Sequence, residues 1–141
     1  MEPLNTDQAT AFFDYDSRLI RVAYRGNLGS GAAEQVYDWI EQLIQTVGIG
    51  AIAGEIFDFT AVTSFDPGNL QTARKVSKKL NMTTDTSHLP VAMIIANFYQ
   101  EEILRSPMRV LPEMERKRIV WSEQEALDFI GWWNAQHTPT E

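Results

Sequence analysis

The sequence predicts a mixed α/β domain with a sheet of about five strands and about four helices, in the order β-β-α-β-α-β-α-β-α. Three observations carry this. Two β-rich runs, 11–15 and 19–24, flank the turn residues Asp16 and Ser17, the pattern of an antiparallel hairpin. Beyond them, short apolar runs alternate with segments of helical period, as strands joined by crossover helices do. The chain has 141 residues with no repeat and no linker, which suits one domain spanning 1–141 with frayed ends at 1–9 and 137–141.

Taken in order, Gly26 is expected to close the second strand, and Ser30 to cap the first helix. That helix carries Ala33, Val36, Tyr37, Ile40, Leu43, Ile44 and Val47 on one stripe, and Gly48 stops it. Residues 51–59 form a strand, apolar apart from Glu55 and Asp58. A short polar turn follows, after which Asp66 caps the second helix and Pro67 takes its first position. Leu70, Ala73, Val76 and Leu80 form that helix's apolar stripe. Residues 81–90 are a polar loop and 91–96 a buried strand. Pro107 and Pro112 interrupt the helical pattern of 100–114, predicting a broken helix or two short pieces. A strand at 118–121 leads into a capping box, Ser122 with Glu125, that opens the last helix. Ala126, Phe129, Ile130 and Trp133 are its buried residues, and the neighbouring Trp132 must then face elsewhere.

Composition narrows the function. Hydrophobic residues at 44% and charged residues at 22% fit a globular protein, and no apolar run approaches the roughly 20 residues of a membrane helix. Zero cysteines exclude disulfides and thiolate chemistry, and no secretory signal opens the chain, so a cytoplasmic location is expected. A net charge of −7 argues against nucleic-acid binding. Nine of the twelve basic residues lie in two windows, Arg74, Lys75, Lys78, Lys79 and Arg105, Arg109, Arg116, Lys117, Arg118. They read either as solvated helix faces or as a basic patch for an acidic partner.

Catalytic signals are weak. Gly26, Gly29 and Gly31 have the spacing of a turn and not of a dinucleotide fingerprint. His88 and His137 have no nucleophile or carboxylate at motif spacing. Glu55, Asp58 and Asp66 invite a carboxylate or Mg²⁺ site, against a plainer reading of Asp66 as a cap and Asp58 as a partner for loop N–H groups. No cofactor, metal or catalysis is expected.

The stretch from strand to second helix resembles the STAS family, the SpoIIAA-like anti-sigma-factor antagonists. Ile56-Phe57 lead into Asp58, Val62-Thr63 match the family's middle pair, and Asp66 and Leu70 match its helix start. The late strand and Ser-x-x-Glu-Ala helix, from Ile119 to Ile130, look like the family's ending. The resemblance implies a bacterial regulatory protein-binding module. It also implies a phosphorylated serine directly after the aspartate, where this chain has Pro67, followed by Gly68 and Asn69. Pro67 has no hydroxyl, so the family's switch is expected to be missing here.

The expected partner- or anion-binding surface comprises Asp58, Thr63, Ser64, Asp66, Gly68, Asn69, Arg74, Lys75 and Lys78, facing an acidic protein segment. Tyr99, Met108, Trp132 and Trp133 are candidates for an apolar-ligand wall or a homodimer interface. The alternative function is a small carrier or sensor that holds an apolar or acyl ligand between sheet and helices.

Overall fold

A computed structural model describes residues 1–108 and 116–137, the side chains of 106–108 excepted. Leu4–Asn5 (β1) and Leu19–Leu28 (β3) each pair antiparallel with Ala9–Asp14 (β2) between them. Alternation decides their faces, with Ile20, Val22 and Tyr24 buried on one side of β3. The Asp14 carboxylate accepts the N–H groups of Asp16 (3.0 Å) and Ser17 (3.4 Å) and so forms the hairpin turn. The segment expected to fray at the start of the chain carries β1 and the first residue of β2. Thr6 and Ala9 bond each other through backbone and hydroxyl, and the Trp39 indole N–H donates to the Glu2 carbonyl at 2.8 Å.

Gly26 does not end β3. It takes φ +75° at an irregularity in the ladder, and the strand continues to Leu28. This extension changes its parallel neighbour. Gly54–Phe65 (β4) runs on through the expected polar turn because Arg25, Gly26, Asn27 and Leu28 pair with Ala61, Val62, Ser64 and Phe65.

The remaining elements are Ser30–Val47 (α1), Pro67–Thr83 (α2), Val91–Ile94 (β5), Phe98–Met108 (α3), Lys117–Val120 (β6) and Glu123–His137 (α4), with a single 3₁₀ turn at Ile49–Ala51. Gly29, not Ser30, takes the cap position of α1 and offers no side chain to it. The α4 capping box forms as predicted, with Ser122 accepting from the Glu125 N–H (3.1 Å) and Glu125 from the Trp121 N–H (2.8 Å). Pro107 falls in the last described turn of α3, and the expected interruption beyond it lies outside the described residues. Pro112 and Met114 lie outside the described residues.

The six strands lie in chain order, β3 to β6 all parallel. Every crossover therefore steps the same way, and right-handed connections place α1, α2 and α3 on one face. The core agrees: Ile20, Val22 and Phe57 pack with Val36, Ile40, Leu43, Leu80 and Leu104. The other face is covered by α4, whose Ala126, Phe129, Ile130 and Trp133 meet Ile56, Ala92, Ile94 and Val120. Gly54 sits close beneath this helix, where an added Cβ would lie 3.0 Å from Ile130 Cγ2 and oblige that side chain to give. Among the described residues, no helix is long and apolar enough to cross a membrane.

One buried polar clamp joins the helical layer to the sheet. Gln100, fully buried in α3, accepts the Ala96 N–H at 2.8 Å and donates to the Val62 carbonyl at 2.9 Å. Gln100→Leu leaves both backbone groups unpaired and is expected to lower unfolding free energy in urea by about 2–4 kcal/mol. A loss below about 0.5 kcal/mol would show that the clamp is dispensable.

Candidate functional site

The apolar stripe of α2 is short of bulk. Leu70, Ala73, Val76 and Ser77 are only half-buried, and Asn69 and Leu80 alone are buried along the helix. Beneath the middle of α2 lies a cavity of about 860 Å³. Its floor is the sheet, with Tyr24, Phe57, Phe59 and Met93, and Tyr37 of α1 and Leu104 of α3 close its sides. Arg74, Lys75 and Lys78 line its solvent-facing rim.

Glu55 also lies on this floor. Period-two alternation puts it in a row with Phe57 and Phe59, and it is only 5% exposed. It makes no hydrogen bond or ion pair with any described residue. Burial pushes its carboxyl above the ordinary carboxylate range, against the pull of Arg116 and then Lys117. Buried Arg116 is itself engaged, donating to the Leu89 carbonyl (3.2 Å), Asn81 Oδ1 (3.3 Å) and Thr86 Oγ1 (3.3 Å). Lys117 Nζ reaches Ser77 Oγ at 3.4 Å. Burial, reinforced by Glu55, pushes Tyr37 up to about 12.

The expected partner surface divides into parts. Ser64 donates to Asn27 Oδ1 (2.7 Å), and Asn27 donates to Asp66 Oδ1 (3.3 Å). Asp66 takes the N-cap position of α2, but its carboxylate makes no capping bond, being turned to Asn27 instead. Asn69 is buried and donates to the Gly29 carbonyl at 2.8 Å, so it fastens α2 to the start of α1. Thr63 and Gly68 are exposed beside this network, and Arg74, Lys75 and Lys78 follow as exposed residues of α2 at the cavity's rim. Asp58 faces the other side of the sheet from Glu55 and accepts from the Thr60 N–H (2.8 Å) and hydroxyl (2.7 Å). Glu55, Asp58 and Asp66 therefore do not converge, and among the described residues no group of acidic or histidine side chains could hold a metal ion.

The expected apolar wall is not where the cavity is. Trp132 and Trp133 lie on α4, across the sheet from it. Trp133 is buried and donates to the His88 carbonyl at 2.9 Å, while Trp132 is half exposed beneath the Arg118 guanidinium, 5.5 Å from its ring centroid. The Tyr99 hydroxyl accepts the Phe65 N–H at 3.3 Å, and the side chain of Met108 lies outside the described part. The cavity residues that sequence reasoning missed are Tyr24, Tyr37, Glu55 and Arg116. The alternation that aligns Glu55 with Phe57 and Phe59 was the available signal for one of them; nothing local marks Arg116 as buried.

No family model matches the sequence, and no curated protein does. Solved structures do. An uncharacterised protein from Shewanella loihica with a SpoIIAA-like fold superposes at a TM-score of 0.60 and 17% identity, covering 90% of this chain and 97% of its own. An anti-sigma factor antagonist from Mycobacterium paratuberculosis gives 0.56 and 13%, with the same two coverages of 90% and 97%. Unphosphorylated SpoIIAA, an anti-sigma factor antagonist, gives 0.54 and 15%, over 82% of this chain and 91% of its own. The fold is SpoIIAA-like.

Glu55 ties the cavity to pH. A carboxyl with a raised folded pKa contributes stability below its unfolded value, and that stability is lost as pH rises through the folded value. Glu55→Gln removes the titration. Its stability gain over wild type is expected to be larger at about pH 8 than at about pH 4 by chemical denaturation. An equal gain at both would show that Glu55 does not carry a raised pKa.

Proposed function

We propose that this chain is a non-catalytic binding module of SpoIIAA-like fold that takes an apolar or acyl ligand in the cavity under α2. The cavity itself carries this reading. Its volume of about 860 Å³ lies within the range of small-molecule sites, and its walls are chiefly aromatic and aliphatic. A helix that presents Ala73 and Ser77 over Phe57 and Met93 leaves room that an occupant fills, and a packed interior leaves few voids larger than a water. The absence of catalysis is supported by Asp58 and Asp66, each engaged with a neighbour and lying apart from Glu55.

A protein partner on the exposed cationic row of the same helix, beside the cavity's rim, is the second reading. Arg74, Lys75, Lys78 and Lys79 are exposed along α2, and none forms an ion pair with a described residue. An unpaired cationic row beside a free helix start suits an acidic segment, and the fold's likeness to anti-sigma factor antagonists supports a regulatory role. Pro67 replaces the hydroxyl of the family's switch, so cavity occupancy is the signal we assign to this surface.

An uncharged hydrophobic fluorophore such as N-phenylnaphthylamine is expected to bind wild type and to bind Ala73→Phe at least about tenfold more weakly, because the new ring occupies the cavity. Equal binding by a folded variant would contradict the site. For the surface, the double variant Lys75→Glu with Lys78→Glu is expected to lose salt-sensitive binding of an acidic model peptide in titration calorimetry. Unchanged affinity and unchanged salt dependence would remove that face from the account.

A further inference from the structure

We infer that the cavity selects an uncharged amphiphile whose polar end carries a hydrogen-bond donor, a hydroxyl or a primary amide, and that Glu55 receives it. This deepens the cavity reading above and rests on it. Glu55 is the polar floor residue that the fold leaves unused. It is 95% removed from solvent, being 5% exposed, yet makes no hydrogen bond or ion pair with a described residue. Among the described residues no sealed side-chain oxygen lacks a partner, so the Glu55 carboxyl opens onto the cavity, where a donor on the ligand reaches it.

The surroundings decide the charge of that group. Arg116 and Lys117 are near enough to act on Glu55 electrostatically, and both are already held, Arg116 by Leu89, Thr86 and Asn81 and Lys117 by Ser77. A cationic head would add a third positive charge to this group. An anionic head on the floor would confront the Glu55 carboxylate, with Arg116 and Lys117 engaged by other groups and the exposed cations Arg74, Lys75 and Lys78 at the rim, away from the floor. A neutral donor meets neither conflict, and a carboxyl oxygen accepts its hydrogen whether or not the acid is protonated. The apolar body of the ligand then lies along Phe57 and Phe59, the next residues on the same face of β4, towards Leu104.

The test compares dodecane, dodecanol, dodecanamide, dodecanoate and dodecylammonium as competitors of the bound fluorophore on the full chain. Dodecanol and dodecanamide are expected to displace it about tenfold better than the other three. In Glu55→Leu, the alcohol and amide should fall to the level of dodecane, with dodecane itself unchanged or improved. In Glu55→Gln, which keeps an acceptor and a similar volume, the preference should survive. Thermal melts confirm that both variants fold, and removal of the unpaired carboxyl is expected to raise their Tm. Equal competition by dodecane and dodecanol in wild type overturns the role of Glu55 while leaving an apolar site. Preference for dodecanoate or dodecylammonium overturns the charge argument. Failure of all five to compete overturns the cavity reading as well.

Discussion

The two ends of α2 are fastened by polar contacts, and along its middle Ser77 bonds Lys117 and Tyr37 while its neighbours on the inner side are small or half-buried. At its start, buried Asn69 donates to the Gly29 carbonyl and the Asp66 N–H donates to the Leu28 carbonyl, which ties the helix to the junction of β3 and α1. At its end, Leu80 is buried and Asn81 accepts from Thr86 and Arg116, which tie it to the loop before β5 and to the start of β6. Between these points the helix turns small side chains toward the sheet. A hydrogen-bonded helix is too stiff to sag by the width of a side chain, so the space beneath Ala73 and Ser77 stays open. The cavity is a consequence of where the helix is held.

The same constraint arranges the two faces of α2 for different work. Its inner side roofs a chiefly apolar chamber with Glu55 on the floor, and exposed Arg74, Lys75 and Lys78 stand at the rim of that chamber. An occupant beneath the helix would add packing where the fold has little. The cationic row would then be displayed from a more rigid support, a coupling through order of the kind that needs no large movement.

Much of the fold was legible because its signals are local. The α1 stripe, the Asp66-Pro67 start of α2 and the Ser122–Glu125 box each depend on residues within a turn or two, and each appears where the spacing places it. Pairing between distant segments was not legible in this way. The continuation of β4 through residues 60–65 depends on β3 passing its bulge at Gly26, and the order of β1 depends on Trp39 reaching Glu2 from another element. The site follows the same division. The α2 surface could be placed from a helix start and a run of cations. The cavity could not, since it arises from the separation of a helix and a sheet, and the sequence gives no measure of that. Glu55 was visible as an interruption in an apolar strand and as one of three acids inviting a carboxylate site, not as a cavity residue, and Trp132 and Trp133 drew attention by their size though they lie on the opposite face.

Amide hydrogen exchange along α2, with and without dodecanol, tests the central claim most directly. An open cavity predicts that the amides around Ala73 and Ser77 exchange readily in the free protein and slow by about tenfold or more at saturating ligand, while α4 on the far face is unaffected. Equal protection of α2 in the two states, with dodecanol shown to be at saturating concentration, would contradict the account.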